Sequence, residues 1–207
     1  MESKDLNSCL MLAVNLDCPV SLKALFDEAD LKDTGVELDS HITLLYAQGR
    51  ELDRKAFLPD IEGILGIGYE NFIEELRDPK TFPVLDMFEL GSFENDSDYI
   101  ILKLKKDTEL FSKLEKINRG LREKYGVSSD FSDYTPHVSL AELQPGKARD
   151  YLGSEELKAV MRDSVINLED IMASYGLSNE PEDRKQYFLT GFHSVDRYFR
   201  MIHLKEE

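Results

Sequence analysis

The chain predicts an α+β protein folded as one bilobed, internally duplicated unit, and three observations lead there. Apolar residues alternate between short strand-like runs and helix-like stripes. Residues 9–93 and 98–175 repeat one order of strand, helix, strand, helix, strand. Each half carries, in its second strand, a His followed two places later by a hydroxyl residue: His41-Ile42-Thr43 and His137-Val138-Ser139.

Residues 9–16 form an apolar run of strand length, and Pro19 then opens a segment with Leu22, Leu25, Phe26 and Ala29 at helical spacing. A second strand is expected over residues 40–46, stopped by Ala47-Gln48-Gly49, and a helix over 53–65 before Gly66 and Gly68. Residues 69–77 suit a short helix. From Phe82 to Phe93 the pattern is strand-like, with Leu85, Met87, Phe88 and Leu90 on the buried side, and a turn follows at Glu94-Asn95-Asp96-Ser97.

The second half opens on the clearest strand, residues 99–105, and continues into the clearest helix. Asp107 is its expected N-cap, Leu110, Phe111, Leu114, Ile117, Leu121 and Tyr125 its apolar stripe, and Gly126 its stop. A strand over 136–142, a helix over 147–161 and a strand over 165–175 complete the half, and a last apolar strand is expected over 186–193. With no linker-like segment between the halves, residues 1–207 are expected to form a single domain.

A formal charge of -16, from 41 acidic and 25 basic residues, opposes sequence-independent attraction to long DNA or RNA. A small anionic substrate is not opposed, because a site's field depends on nearby groups. Cys9 and Cys18 lie near opposite ends of the first strand, too far apart for a disulfide, and fit a reducing compartment. No positive segment followed by a long apolar run opens the chain, and residues 9–16 are too few to span a bilayer, so a cytoplasmic protein without membrane attachment is expected.

Side chains alternate faces along a strand, so His41 and Thr43 share one face while Ile42 and Leu44 take the other; His137 and Ser139 are set likewise against Val138 and Leu140. Two such pairs supply a base for an attacking hydroxyl, an acid for a leaving oxygen, and neutral donors for phosphate oxygens. Imidazole suits the first two roles because it titrates near neutrality. Ser and Thr make up roughly one residue in nine, so one His-x-Ser/Thr is weak evidence; two at matching places of similar half-chains are strong.

The bland alternative is a pair of satisfied core histidines. A metal site with Asp39 or Asp133 as further ligands is disfavoured, because no His- or Cys-rich spacing supports it and a hydroxyl is a poor zinc ligand. His193 and His203 lack the pattern and read as solvated or structural. Tyr46 and Tyr134, at odd spacings from the histidines, are candidates for base stacking or a phosphate hydrogen bond, with ordinary half-buried aromatics as the equal alternative. Lys103, Lys105 and Lys106 read as a solvated strand face.

Ser40-His41-Ile42-Thr43-Leu44-Leu45 and Pro136-His137-Val138-Ser139-Leu140 resemble the two signature motifs of the 2H (two-histidine) phosphoesterase superfamily. The resemblance implies two antiparallel sheets flanked by helices around a central groove, no metal or other cofactor, and action on 2′,3′-cyclic or related nucleotide phosphodiesters. Residues 130–137, with Tyr46 after the first motif, are similar to the bacteriophage anti-CBASS branch, nucleases that destroy cyclic oligonucleotide immune signals; a phage protein of that kind would work in the host cytoplasm. The chain departs from the usual pattern in having Ser139 where Thr is commoner, in lacking Trp, and in a C-terminal third that carries over no further acid.

The expectation is therefore a metal-independent phosphodiesterase for cyclic nucleotides or cyclic oligonucleotides, with His41 and His137 as acid–base pair and Thr43 and Ser139 holding the phosphate. An enzyme opening 2′,3′-cyclic phosphates on RNA ends and a non-catalytic module that sequesters a nucleotide are the alternatives.

Overall fold

The computed structural model describes residues 6–48, 52–77, 82–128, 133–177 and 185–188. The fold is α+β, two antiparallel sheets flanked by helices. In chain order the elements are β1 (Leu6–Asp17), β2 (Leu31–Val36), β3 (His41–Ala47), α1 (Arg54–Leu65), α2 (Tyr69–Arg77), β4 (Phe82–Pro83), α3 (Val84–Met87) and β5 (Phe88–Glu94). Then come β6 (Asp98–Leu104), α4 (Glu109–Tyr125), β7 (His137–Leu143), α5 (Ala148–Gly153), α6 (Glu155–Asp163), β8 (Val165–Leu177) and β9 (Lys185–Phe188). One sheet has the order β3-β1-β8-β4 with β9 also on β8, and the other β2-β7-β6-β5.

The last strand of each half-chain pairs with the first strand of the other half: β8 lies along β1, and β5 along β6. Strand β2, from the first half, also crosses to the second sheet and pairs with β7. The halves are thus interlaced, and one cluster of buried apolar side chains runs beneath both sheets, drawing Leu12, Ile42 and Leu44 from one and Leu102, Val138 and Leu140 from the other. Helix α4 packs on β3 and α1, while α5 covers β5 and β6.

Local chemistry sets the helix limits. Asp53 accepts from the Lys55 N–H at the start of α1, and Gly66 ends it in the left-handed region, φ 76°. On α4 the cap is Thr108, one residue beyond the expected Asp107; its hydroxyl accepts from the Phe111 N–H at 3.1 Å, and Gly126, φ 61°, closes the helix. The expected stripe is buried at Leu110, Phe111, Leu114, Ile117 and Leu121.

Three expectations are corrected. The segment after Pro19 forms only 3-10 turns at Leu22–Leu25 and Glu28–Asp30, followed by β2. Asp27 takes the Ala29 N–H with its own carboxylate, and acidic residues at 28 and 30 oppose the negative end of any helix continuing from Leu22. The helix expected over 147–161 is broken at Ser154, whose hydroxyl caps α6 by accepting from the Leu157 N–H at 3.2 Å. Residues 84–87 make a helical turn, which buries Val84 and leaves Leu85 exposed. The last strand is described only as far as Phe188, and residues 189–193 of the expected strand lie outside the described residues, as do His193 and His203. Among the described residues no helix is long and apolar enough to cross a membrane.

Candidate active site

Strands β3 and β7 lie side by side where the two sheets meet. In both, the residues between and after the motif positions are buried: Ile42, Leu44, Val138 and Leu140 have no solvent exposure and belong to one core. His41, Thr43, His137 and Ser139 are only partly buried, in strict alternation with them. Because a common core lies under both strands, the four motif side chains occupy the same, opposite face of the protein. On this face His41 is opposite Ala13 of β1, and Thr43 opposite Met11. Met11, Ala13 and Met172 form a small apolar cluster apart from the main core, a floor beneath the first motif.

Each strand is bulged at the same place. Thr43 pairs with Met11 but Leu45 with Leu10, so Leu44 is the extra residue of β3; Ser139 pairs with Ile101 but Ala141 with Ile100, so Leu140 is the extra residue of β7. A bulge reverses the face of everything beyond it. Tyr46 therefore joins His41 and Thr43 despite its odd spacing: it pairs with Cys9, two residues from Met11, and is 51% exposed. The equivalent position in β7 is Glu142, opposite Tyr99. Both bulge carbonyls are satisfied. The Asn118 amide of α4 donates to the Leu44 carbonyl at 2.7 Å, and the Glu37 N–H donates to the Leu140 carbonyl at 2.9 Å.

The two imidazoles are held alike. Nδ1 of His41 donates to the Asp39 carbonyl at 2.8 Å, and Nδ1 of His137 to the Thr135 carbonyl at 2.7 Å. A carbonyl oxygen only accepts, so Nδ1 carries the proton in both rings and Nε2 is the nitrogen left for chemistry. Burial pushes the His137 pKa below its ordinary value, against the Thr135 hydrogen bond, which favours the charged form. The charges of His41 and Lys103 push it further down, so both groups are close enough for the ring to feel them. Phe93 stands edge-on to the His137 ring, centroids 4.8 Å apart.

Tyr134 has a different place from Tyr46. Its hydroxyl donates to the Thr43 carbonyl at 2.8 Å, its ring packs against the main core, and burial raises its pKa far above the ordinary phenol value. It ties the segment entering β7 to the backbone of the first motif. Glu142 is buried at 6% exposure and accepts from the Thr34 hydroxyl at 2.6 Å and the Thr34 N–H at 3.3 Å. Burial works to raise its pKa, but hydrogen bonds from Thr34, Ser97 and Tyr99 outweigh it and hold the carboxyl below the usual range.

Sequence reading missed Phe93, Glu142 and the position of Lys103. The signal for Lys103 was present in the ladder parity of β6, but only the register with β7 shows that its face is the one bearing the histidines. Of the segment 130–137, residues 130–132 lie outside the described residues.

No protein-family model matches the chain, and no curated protein matches it. Among solved structures it is similar to Kluyveromyces marxianus Usb1, with a TM-score of 0.42 and 13% identity over 90% of this chain and 99% of that one. It is also similar to Kluyveromyces marxianus Usb1 with uridine monophosphate, with a TM-score of 0.40 and 12% identity over the same shares of the two chains.

Proposed function

We propose that the protein is a phosphodiesterase of the two-histidine type, cleaving a ribose-linked phosphodiester by general acid–base chemistry without a metal. The observation that carries this reading is the pair of imidazoles on one face, each fixed through Nδ1 to a carbonyl two residues earlier and each followed by a hydroxyl on the same face. Core histidines serving only as packing have no need of matched anchoring and matched hydroxyls.

Burial lowers the His137 pKa and so favours its neutral ring; in this proposal His137 therefore takes the base role and His41 supplies the proton. Where the substrate has a ribose 2′-hydroxyl beside a 3′-linked phosphate, Nε2 of His137 takes the hydroxyl proton and O2′ bonds to phosphorus. The P–O5′ bond breaks and His41 protonates O5′, giving a 2′,3′-cyclic phosphate and a free 5′-hydroxyl. With a 2′,3′-cyclic substrate, water takes the place of the hydroxyl. Thr43 and Ser139 donate to the non-bridging phosphate oxygens throughout.

Of the substrate classes, an RNA end or short RNA is the simpler fit. The four motif side chains ask for one phosphodiester and a neighbouring ribose hydroxyl, whereas a closed cyclic oligonucleotide also needs several base-binding walls, and Tyr134, a candidate for one, packs against the core with its hydroxyl engaged by the Thr43 carbonyl. Cyclic nucleotide signals stand second, favoured by the -16 charge, which repels long polyanions. The test is to incubate the protein in EDTA with short RNAs ending in 3′-hydroxyl or 2′,3′-cyclic phosphate, 2′,3′-cyclic mononucleotides, and cyclic di- and trinucleotides, and to separate the products. Cleavage in EDTA is expected. Cleavage only after a divalent ion is restored contradicts the metal-free mechanism, and stoichiometric binding without products indicates a sequestering module.

A further inference from the structure

We infer that Lys103 is a third catalytic element of this face, a cationic arm that takes a non-bridging phosphate oxygen as negative charge builds during cleavage. The inference rests on the phosphodiesterase reading and adds to it the fixed positive charge that the two motifs lack. Two imidazoles and two hydroxyls move protons and donate hydrogen bonds, but none carries a permanent charge, while the phosphoryl oxygens gain charge in the transition state. In a chain of formal charge -16 that charge has to be local.

The β6/β7 register sets Lys103 directly opposite His137, and residues directly opposite in a ladder share a face. Two other lysines on or next to this sheet are already engaged. The Lys105 ammonium donates to the Leu85 and Asp86 carbonyls, and Lys32 to the Ser97 hydroxyl and the Asp96 carbonyl. Among the described residues Lys103 has only a loose ionic contact, 4.0 Å to Glu89 of β5, between side chains 37% and 61% exposed. Such a pair contributes little, so an incoming phosphate can take the ammonium over. The stem lies over Gly91 of β5, where an added Cβ would come within 3.2 Å of Lys103 Cδ; glycine keeps that path clear. Among the described residues the charges that act on the His137 ring are His41 from β3 and Lys103 from β6; Glu89 of β5 lies one strand further, Tyr99 and Glu142 lie further along the same face beyond the bulge, and the lowering of the His137 pKa by Lys103 accords with the placement.

The test compares wild type, Lys103→Met and Lys103→Arg. Removing one electrostatic donor to a transition state typically costs about 10²- to 10³-fold, so Lys103→Met is expected to lower kcat/KM by that order and Lys103→Arg to restore most of it. NMR titration of the His137 ring, which needs no substrate, is expected to show its pKa raised in Lys103→Met, and inorganic phosphate is expected to shift the His137 resonances of wild type more than those of Lys103→Met. Should wild type cleave a substrate while Lys103→Met retains activity within about twofold and an unchanged His137 titration, Lys103 is a solvated strand residue and the inference fails. Should wild type cleave nothing, the phosphodiesterase reading fails, and the phosphate titration decides the arm by itself: binding lost in Lys103→Met upholds it, and equal binding overturns it.

Discussion

Strands β3 and β7 are built on one plan and placed in different surroundings. Both begin with His, bury aliphatic residues at the next and fourth positions, and bulge at the fourth. But among the described residues β3 is the last strand of its sheet, whereas β7 has β2 on its outer side. The edge strand leaves its post-bulge residue, Tyr46, 51% exposed; the inner strand buries the equivalent Glu142 under Thr34 of β2. The bulge of β7 is pinned by a backbone N–H, which any residue at 37 except proline supplies, and that of β3 by a borrowed side chain, Asn118. The matched strands thus give two imidazoles the same anchoring, while their surroundings differ: an edge-on Phe93 beside the His137 ring, and the open Tyr46 on the strand of His41.

The largest expected effects test whether the two strands act as one machine. His41→Ala and His137→Ala should each lower turnover by about 10²- to 10⁴-fold, the range for a positioned acid or base. The double variant should lose far less than the product of the two losses, since both act in one proton-transfer cycle. Thermal melting of the same proteins should stay near wild type, because the packing of these strands is carried by Ile42, Leu44, Val138 and Leu140 on the other face. Full activity in either single variant, or inactivity accompanied by unfolding, returns both histidines to a structural role.

Smaller effects separate the two ends of the bulged strand β3. Tyr46→Ala should raise KM by roughly 5- to 150-fold at unchanged stability, the equivalent of about 1–3 kcal/mol for one base stacked on one aromatic ring. Asn118→Ala removes the partner of a buried carbonyl and should cost about 1–3 kcal/mol in urea denaturation, with a rise in KM that follows from misplacing Tyr46. An Asn118→Ala protein with wild-type stability and KM would detach the bulge from Tyr46.

Much of this was legible in the chain. Local signals sufficed for β1, β3, β6, β7, α1 and α4, whose apolar patterns and glycine stops are strong, and for the motif side chains, whose shared face follows from a period of two. What was hidden depended on partners. The pairing of β8 with β1 joins residues far apart in sequence, and the short strand β2, with Gly35 and three polar residues, shows its strand character only against β7. The facing of Tyr46 turned on a bulge, which a one-residue change of register produces without any distinct sequence pattern. Lys103 looked like a solvated cation because nothing in a linear reading sets it opposite His137.

The measurement that bears most directly on the central claim is the pH dependence of kcat/KM for wild type and both single-histidine variants. The account predicts a bell. The His137 limb requires a neutral ring, and because burial and the neighbouring positive charges lower its pKa, activity on that limb should rise with a midpoint below the reference value of about 6.5. The falling limb belongs to the acid that protonates the leaving oxygen, a role given to His41 in the proposal. His137→Ala should abolish the rising limb and His41→Ala the falling one in whatever residual activity remains. A flat wild-type profile from about pH 5 to 9, or a bell that survives unchanged in both variants, would contradict acid–base catalysis by this pair.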